Sequence, residues 1–320
     1  MASLDSLVSI GVRVYQNNQD VPYVLGQSPE VPGGHGAVQY ATRRTTGQPA
    51  GKDAYAIKKI SAVSPQEQLS LANEIRLLKQ FRHPNILGLE EAYTIDNEEY
   101  QMHNTVCLVT KPWATVSLQR FIGNIVRSSG TSTFCSWFKP QTLHPWPSIM
   151  RQCLSGLQYL HSQKPHPIRH GDIKPDNIVL FCDPKSSAVR PIIVDFGISM
   201  EHIDGDITSD TATYQDQGTY QYKTPEELAG QKLTLASDIF TLGCCFALIE
   251  GVLSPWPALE EVYSRALETG DCQFAHNTDS VNGFLETLLR QPPMGEDLAL
   301  RRFRTGLRLL VRQMLQDNPD

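Results

Sequence analysis

Four short segments of this 320-residue chain carry side chains whose types and spacing suit phosphate and metal chemistry. The densest is His170-Gly171-Asp172-Ile173-Lys174-Pro175-Asp176-Asn177, at the head of the strand-like run Asn177–Phe181. Asp172 can accept a hydroxyl proton, Lys174 can neutralise a transferring phosphoryl group, and Asn177 can coordinate a metal ion. The plain alternative is a polar turn rich in Asp, Asn, Gly and Pro, but an acid, a base and an amide within six positions favour chemistry. In the second segment, the run Ile192–Val194 ends in Asp195-Phe196-Gly197. An acid closing a buried strand is well placed for a cation, and its plain alternative is an Asp-x-Gly turn. Third, Ala56-Ile57-Lys58 lies on a strand, with Glu74 on the following helix. A lysine on a half-buried strand must be paired or reach out to water. Glu74 would pair it and hold the ammonium towards a phosphate; otherwise the two are an edge lysine and a solvated glutamate. Fourth, Gly33-Gly34-His35-Gly36-Ala37-Val38 precedes a strand. A turn without Cβ atoms lets backbone N–H groups approach phosphate oxygens, although alone it is an ordinary β-turn. Downstream come Gly218-Thr219, Thr224-Pro225-Glu226 and Ser237-Asp238. Asp238 reads as a helix N-cap or first-turn acid with no functional role.

The elements that must position these groups divide the chain. Strand-like runs dominate to about Thr110: Tyr23–Gly26, Ala37–Thr42, Ala54–Ile60 and Val106–Thr110. One helix interrupts them, capped by Ser64-Pro65, with Leu69, Ala72, Ile75 and Leu78 at helical spacing and an end near His83-Pro84. The remainder is mainly helical, with a stripe Ile149, Cys153, Leu157, Leu160, a helix from about Ser237, and a third over Gly306–Leu315 carrying Leu309, Leu310 and Met314. The Ser/Thr/Pro-rich stretch 127–147 reads as an inserted loop, and the junction of the two parts falls near Lys111–Trp113.

Composition excludes several classes. Lys+Arg 28 against Asp+Glu 34 leaves a net charge of −6, which argues against nucleic-acid binding and a polybasic membrane anchor. The longest apolar run, Ile239–Ile249, is too short to span a membrane, and the N-terminus lacks the basic start of a signal peptide. Seven scattered cysteines with no CxxC point to packing thiols in a reducing, intracellular setting, cytoplasm or nucleus.

Taken in this order, the segments resemble a eukaryotic-type serine/threonine protein kinase from about Leu25 to the last residue. The Arg169-His170-Gly171-Asp172 form of the loop is similar to kinases of filamentous fungi. The resemblance implies an α+β, bilobal protein-kinase-like fold: an N-terminal extension over 1–22, a small antiparallel β-rich N-lobe over 23–113 and a larger, mainly helical C-lobe over 114–320. ATP and Mg2+ are the implied cofactors and a protein the implied substrate, with neither nucleic acid nor membrane as partner. Asp172 and Lys174 take the catalytic positions, and Asn177 and Asp195 the metal positions. Lys58, held by Glu74, takes the phosphate-binding lysine position. Leu25, Gly33, Gly34, Gly36, Val38, Ala56, Thr110, Lys111, Trp113 and Val179 complete the nucleotide site, with Thr110 as gatekeeper. Thr219 contacts the aspartate and lysine in serine/threonine kinases, and Leu78, Leu89, His170 and Phe196 match the family's apolar spine.

The chain departs from the family in four places. The glycine-rich stretch is irregular: aligned on Gly36 it puts Val31 at the first glycine, whereas aligned on Leu25-Gly26 it has extra residues. Gly171 replaces the arginine that receives an activation-loop phosphate, so activity is not expected to depend strictly on such phosphorylation, although Thr208, Ser209, Thr211, Thr213 and Tyr214 are available sites. Thr224 stands for the usual Ala. The late arginine that pairs with the glutamate matching Glu226 is missing, with Arg301, Arg302 and Arg304 as candidate substitutes. The rival expectations are a pseudokinase scaffold that binds ATP without transfer and a small-molecule phosphotransferase. The latter usually lacks the Gly-Thr and Pro-Glu segments seen here.

Overall fold

The computed structural model describes residues 8–27, 31–33, 36–44, 54–62, 64–96, 105–114, 116–127, 146–183, 188–202, 219–253, 275–290 and 298–316. Gly34, most of the 127–147 stretch, Gly218 and the candidate sites from Thr208 to Tyr214 lie outside these residues. The chain forms two units, Met1–Thr115 with Val194–Gly197, and Val116–Ile193 with Ile198–Asp320.

The first unit is built on seven strands: β1 (Arg13–Tyr15), β2 (Tyr23–Leu25), β3 (Val31–Gly33), β4 (Gly36–Arg43), β5 (Ala54–Ser61), β6 (Gly88–Ile95) and β7 (Thr105–Lys111). Their order is β1-β6-β7-β5-β4-β2, with β3 also on β4. All pairs are antiparallel except β1 on β6. Alternation along β5 sends Tyr55 and Ile57 into a core with Val21, Tyr23, Ala41, Tyr93, Cys107 and Val109. The same alternation turns Ala56 and Lys58 to the other face. There the register sets Val38 opposite Lys58 and Thr110 opposite Ala56.

Helix α1 (Pro65–Gln80) starts at a capping box: the Ser64 hydroxyl accepts from Glu67 N, and the Glu67 carboxylate accepts from Ser64 N. Its buried face is Leu71, Glu74, Ile75, Leu77 and Leu78. Leu69, assigned to that face from its spacing, is 65% exposed. The helix ends at an extended Phe81, before the expected His83-Pro84. Strand β6 escaped the sequence reading because a bulge between Leu89 and Glu91 breaks its two-residue alternation.

The second unit holds the sheet β11-β10-β8 (Val189–Ile193, Ile178–Cys182, Val116–Ser117) and the pair β9 (Ile168–Arg169) with β12 (Met200–Glu201). Its helices are α2 (Leu118–Arg127), α3 (Trp146–His161), α4 (Pro225–Leu228), α5 (Leu235–Leu253), α6 (Thr278–Arg290) and α7 (Leu298–Met314). Helix α5 buries Phe240, Leu242, Cys244, Cys245, Phe246, Leu248 and Ile249, so it is apolar all round, as a central helix must be. Helix α7 runs well upstream of the expected Gly306. It buries Arg304, Leu307, Arg308, Val311 and Met314, while Leu309 is 50% exposed. No helix among the described residues is long and apolar enough to cross a membrane.

Candidate active site

Each unit carries an ion network built on the candidate residues. In the first, Lys58 Nζ donates to Glu74 Oε1 at 3.2 Å and to Asp195 Oδ1 at 3.0 Å. Lys58 comes from β5, Glu74 from the buried face of α1, and Asp195 from the turn after β11. Burial lowers the lysine pKa, but the two carboxylates outweigh it and hold the ammonium above its ordinary value. Asp195 has φ +68, a backbone conformation that costs energy outside glycine and persists where surrounding contacts enforce it. Those contacts are the Lys58 ion pair, Phe196 buried with its ring 4.9 Å from Phe81, and Gly197 O accepting from Ser70 Oγ on α1. Ser70 was not legible as a site residue, because its partner lies 127 positions away.

The sheet face above Lys58 carries Val38, Ala56 and Thr110, whose hydroxyl donates to Ala56 O at 3.4 Å. After Lys111, Trp113 N donates to Ala54 O, and the Trp113 ring packs edge-on against Tyr40. The glycine-rich stretch is a hairpin in which Gly33 faces Gly36. Upstream, Leu25 faces Ala41 and Gly26 N donates to Tyr40 O at 2.8 Å. A Cβ at Gly26 would lie 2.3 Å from the Tyr40 ring, so only glycine fits. Both β2 and β3 pair with β4, so the extra residues fall between Gly26 and Val31.

In the second unit Asp172 is 8% exposed and both carboxylate oxygens are engaged. Oδ2 accepts from Lys174 Nζ at 2.7 Å and Asn177 Nδ2 at 2.9 Å. Oδ1 accepts from Thr219 Oγ1 at 3.2 Å, and Lys174 Nζ also reaches that hydroxyl. Asn177 Nδ2 bonds Asp172 O as well, at 2.9 Å. Both amide hydrogens are therefore used inside the loop, and Oδ1 is left as a hard oxygen donor. Val179 stands on β10 two residues on, opposite Ser117 of β8 and Ile192 of β11.

Asp238 corrects the sequence reading, which gave it no role beyond its own helix. From the first turn of α5 its Oδ2 accepts His170 N at 2.7 Å and its Oδ1 accepts Gly171 N at 2.9 Å. His161 Nε2 stands 3.0 Å from Oδ2. Burial pushes this carboxyl up, but the His161 hydrogen bond and charge, His170 and the Gly171 N–H hold it below its ordinary value. Ser199 Oγ donates to His170 O at 2.8 Å, and Asp172 N to His170 Nδ1 at 3.2 Å. The backbone leading into Asp172 is thus fixed by buried side chains from α5 and the segment before β12. Their separations of 29 to 68 positions hid them in the sequence.

Gly171 has φ +83, and a Cβ there would stand 3.3 Å from Ile198 O. Gly171→Ala is expected to cost about 1–2 kcal/mol, the left-handed penalty for a side chain. Urea denaturation checks this, and an unchanged midpoint would refute it. Glu226 does not pair with any of the arginines suggested by sequence: it accepts from Ser237 Oγ at 2.6 Å. Arg304 instead joins Arg308 on Glu250, while Arg301 and Arg302 are exposed.

A β-sheet unit with a Lys–Glu–Asp network and a helical unit with a braced Asp-x-Lys-x-x-Asn loop define a bilobal α+β protein-kinase fold. The protein kinase domain family matches residues 32–320, and the chain belongs to it. The chain is similar to U-box domain-containing protein 70 of Oryza sativa subsp. japonica (31% identical over 223 residues, 68% of this chain and 24% of that protein). It is also similar to a probable myosin light chain kinase of Dictyostelium discoideum (25% over 300 residues, 90% and 75%). A third relative is the probable serine/threonine-protein kinase WNK6 of Oryza sativa subsp. japonica (30% over 233 residues, 71% and 46%). The chain spans about a quarter of the first relative and under half of the third.

Proposed function

We propose that the chain is an ATP-dependent protein kinase that phosphorylates serine and threonine hydroxyls of other proteins. The observation that carries this reading is the Asp172 carboxylate held by Lys174, Asn177 and Thr219 on a loop anchored to Asp238. The substrate hydroxyl oxygen attacks the γ-phosphorus, its proton passes to Asp172, and the bond to the β,γ-bridging oxygen breaks with its electron pair leaving on ADP. Lys174 faces the transferring group and offsets its charge. Lys58, kept charged and aimed by Glu74 and Asp195, takes the α- and β-phosphates.

The donor chemistry fits magnesium: an amide oxygen of Asn177 and a carboxylate of Asp195 are both hard oxygen ligands. When bound, the ion supplies charge neutralisation on the β- and γ-phosphate oxygens. Serine/threonine preference rests on Lys174-Pro175 and on Thr219 bridging the aspartate and the lysine. The five described cysteines are free thiols, which supports an intracellular setting.

The test is transfer from labelled ATP with magnesium to a generic basic protein, followed by phosphoamino-acid analysis. The expected result is label on serine or threonine from the natural chain and none from Asp195→Asn. Label on tyrosine would overturn the specificity. ATP binding by a folded chain without transfer would replace the enzyme with a scaffold.

A further inference from the structure

We propose that the segment 8–15 is a latch on helix α1, which fixes that helix through Lys79 and so positions Glu74 on Lys58. The family match begins at residue 32, so this segment lies outside the part of the chain the family accounts for. It is nonetheless built into the first unit. Strand β1 runs parallel to β6, Arg13 opposite Tyr93 and Tyr15 opposite Ile95. Asp96 N donates to Tyr15 O at 2.8 Å, the Tyr15 hydroxyl donates to Glu91, and its ring packs edge-on against Tyr93. Val12 beside it is 3% exposed.

The second attachment is to the helix. Lys79 Nζ donates to Ile10 O at 2.9 Å and to Gly11 O at 3.0 Å. Gly11 has φ +80, and a Cβ there would fall 2.1 Å from Lys79 Nζ. The turn favours glycine for its backbone, and a Cβ there would push the Lys79 ammonium out of it. Covering the open edge of β6 would require only the β1 ladder. The turn that receives Lys79 adds a tether to the far end of α1, five residues beyond Glu74. On the other side of Glu74, Ser70 within the helix bonds Gly197 O. The two tethers flank Glu74, and one of them belongs to a segment that can be withdrawn without cutting the helix. Lys79 and Gly11 are thus positioning residues for the Lys58–Glu74 pair, and this role rests on the kinase reading above.

The test compares the natural chain with Lys79→Met, Gly11→Ala and the conservative Lys79→Arg by hydrogen exchange across α1 and by phosphotransfer kinetics. Lys79→Met and Gly11→Ala should each speed exchange of the α1 amides by about three- to tenfold, as loss of charge-assisted bonds at an exposed site warrants. Exchange in α5 should not change. In an active chain kcat should fall by a similar factor, with the KM for the protein substrate unmoved, and Lys79→Arg should restore both readouts. Gly11→Ala acts from outside the helix, so a matching response cannot come from a lost helix-end charge. Unchanged α1 exchange in both variants overturns the latch, as does faster exchange with kcat unaltered. A natural chain that transfers no phosphate, while α1 exchange still responds, overturns the kinase reading and leaves the tether in place.

Discussion

Asp172→Asn is expected to lower kcat for phosphoryl transfer by about 10²–10⁴-fold, the usual worth of a positioned general base. Asparagine has the same shape, but its NH2 must face donors, either Lys174 and Asn177 or Thr219. What disappears is the charge that holds Lys174 at 2.7 Å and the lone pair that takes the substrate proton. Stability should fall by about 1–3 kcal/mol, since the bond to Lys174 loses its charge and one buried donor is left mismatched. Steady-state kinetics with labelled ATP, alongside thermal unfolding, separate the two effects. A variant within tenfold of the natural kcat would remove Asp172 from the chemistry. A variant that is inactive because it has unfolded is recognised by its melting curve, and the loop is then probed at Asn177.

The largest effect on stability is expected at Glu250, far from any chemistry. Its carboxylate is fully buried on α5 and accepts from Arg304 Nε at 3.2 Å and Arg308 Nε at 2.8 Å, both on α7 and both 2% exposed. Burial pushes the glutamate pKa above its ordinary value, against the pull of the two guanidinium groups. Glu250→Ala removes the anion and leaves two cations in a site with little water. The expected loss is about 3–5 kcal/mol, as for other broken buried ion pairs. Against a typical total of about 5–15 kcal/mol, that is enough to halve the stability of an ordinary domain. Denaturant unfolding measures it. Replacing Glu250, Arg304 and Arg308 together by methionine should recover most of the loss, because no buried charge then remains. A single Glu250→Ala variant as stable as the natural chain would mean that water or another acid reaches the arginines.

Local signals were read well where one short stretch of chain decides the outcome. The N-cap of α1 is such a case: Ser64, Pro65 and Glu67 lie within four positions and satisfy one another's backbone groups. Strands β4, β5 and β7 were legible from short runs enriched in β-branched and aromatic residues. Helical periodicity placed α1 and the buried Ile75 and Leu78, but spacing alone could not tell that Leu71, and not Leu69, is the buried leucine of its N-terminal half. The bulge at Leu89 hid β6 for a related reason, since the rule that side chains alternate fails wherever an extra residue is inserted.

The chemical groups were legible in the sequence, where Lys58, Glu74, Asp172, Lys174, Asn177 and Asp195 supply two cations, three acids and an amide in short, recognisable segments. Their partnerships were decided by the tertiary structure. Asp238 looked like a helix cap and instead braces the His170-Gly171 backbone. Arg304 looked like a partner for Glu226 and instead meets Glu250, while Ser237 serves Glu226. Lys79, which nothing in the sequence singles out, grips the carbonyls of Ile10 and Gly11. The physical reason is the same in each case. Residue type and near-neighbour spacing set what a side chain can do, but a buried charge or backbone group takes whichever partner the fold brings to it.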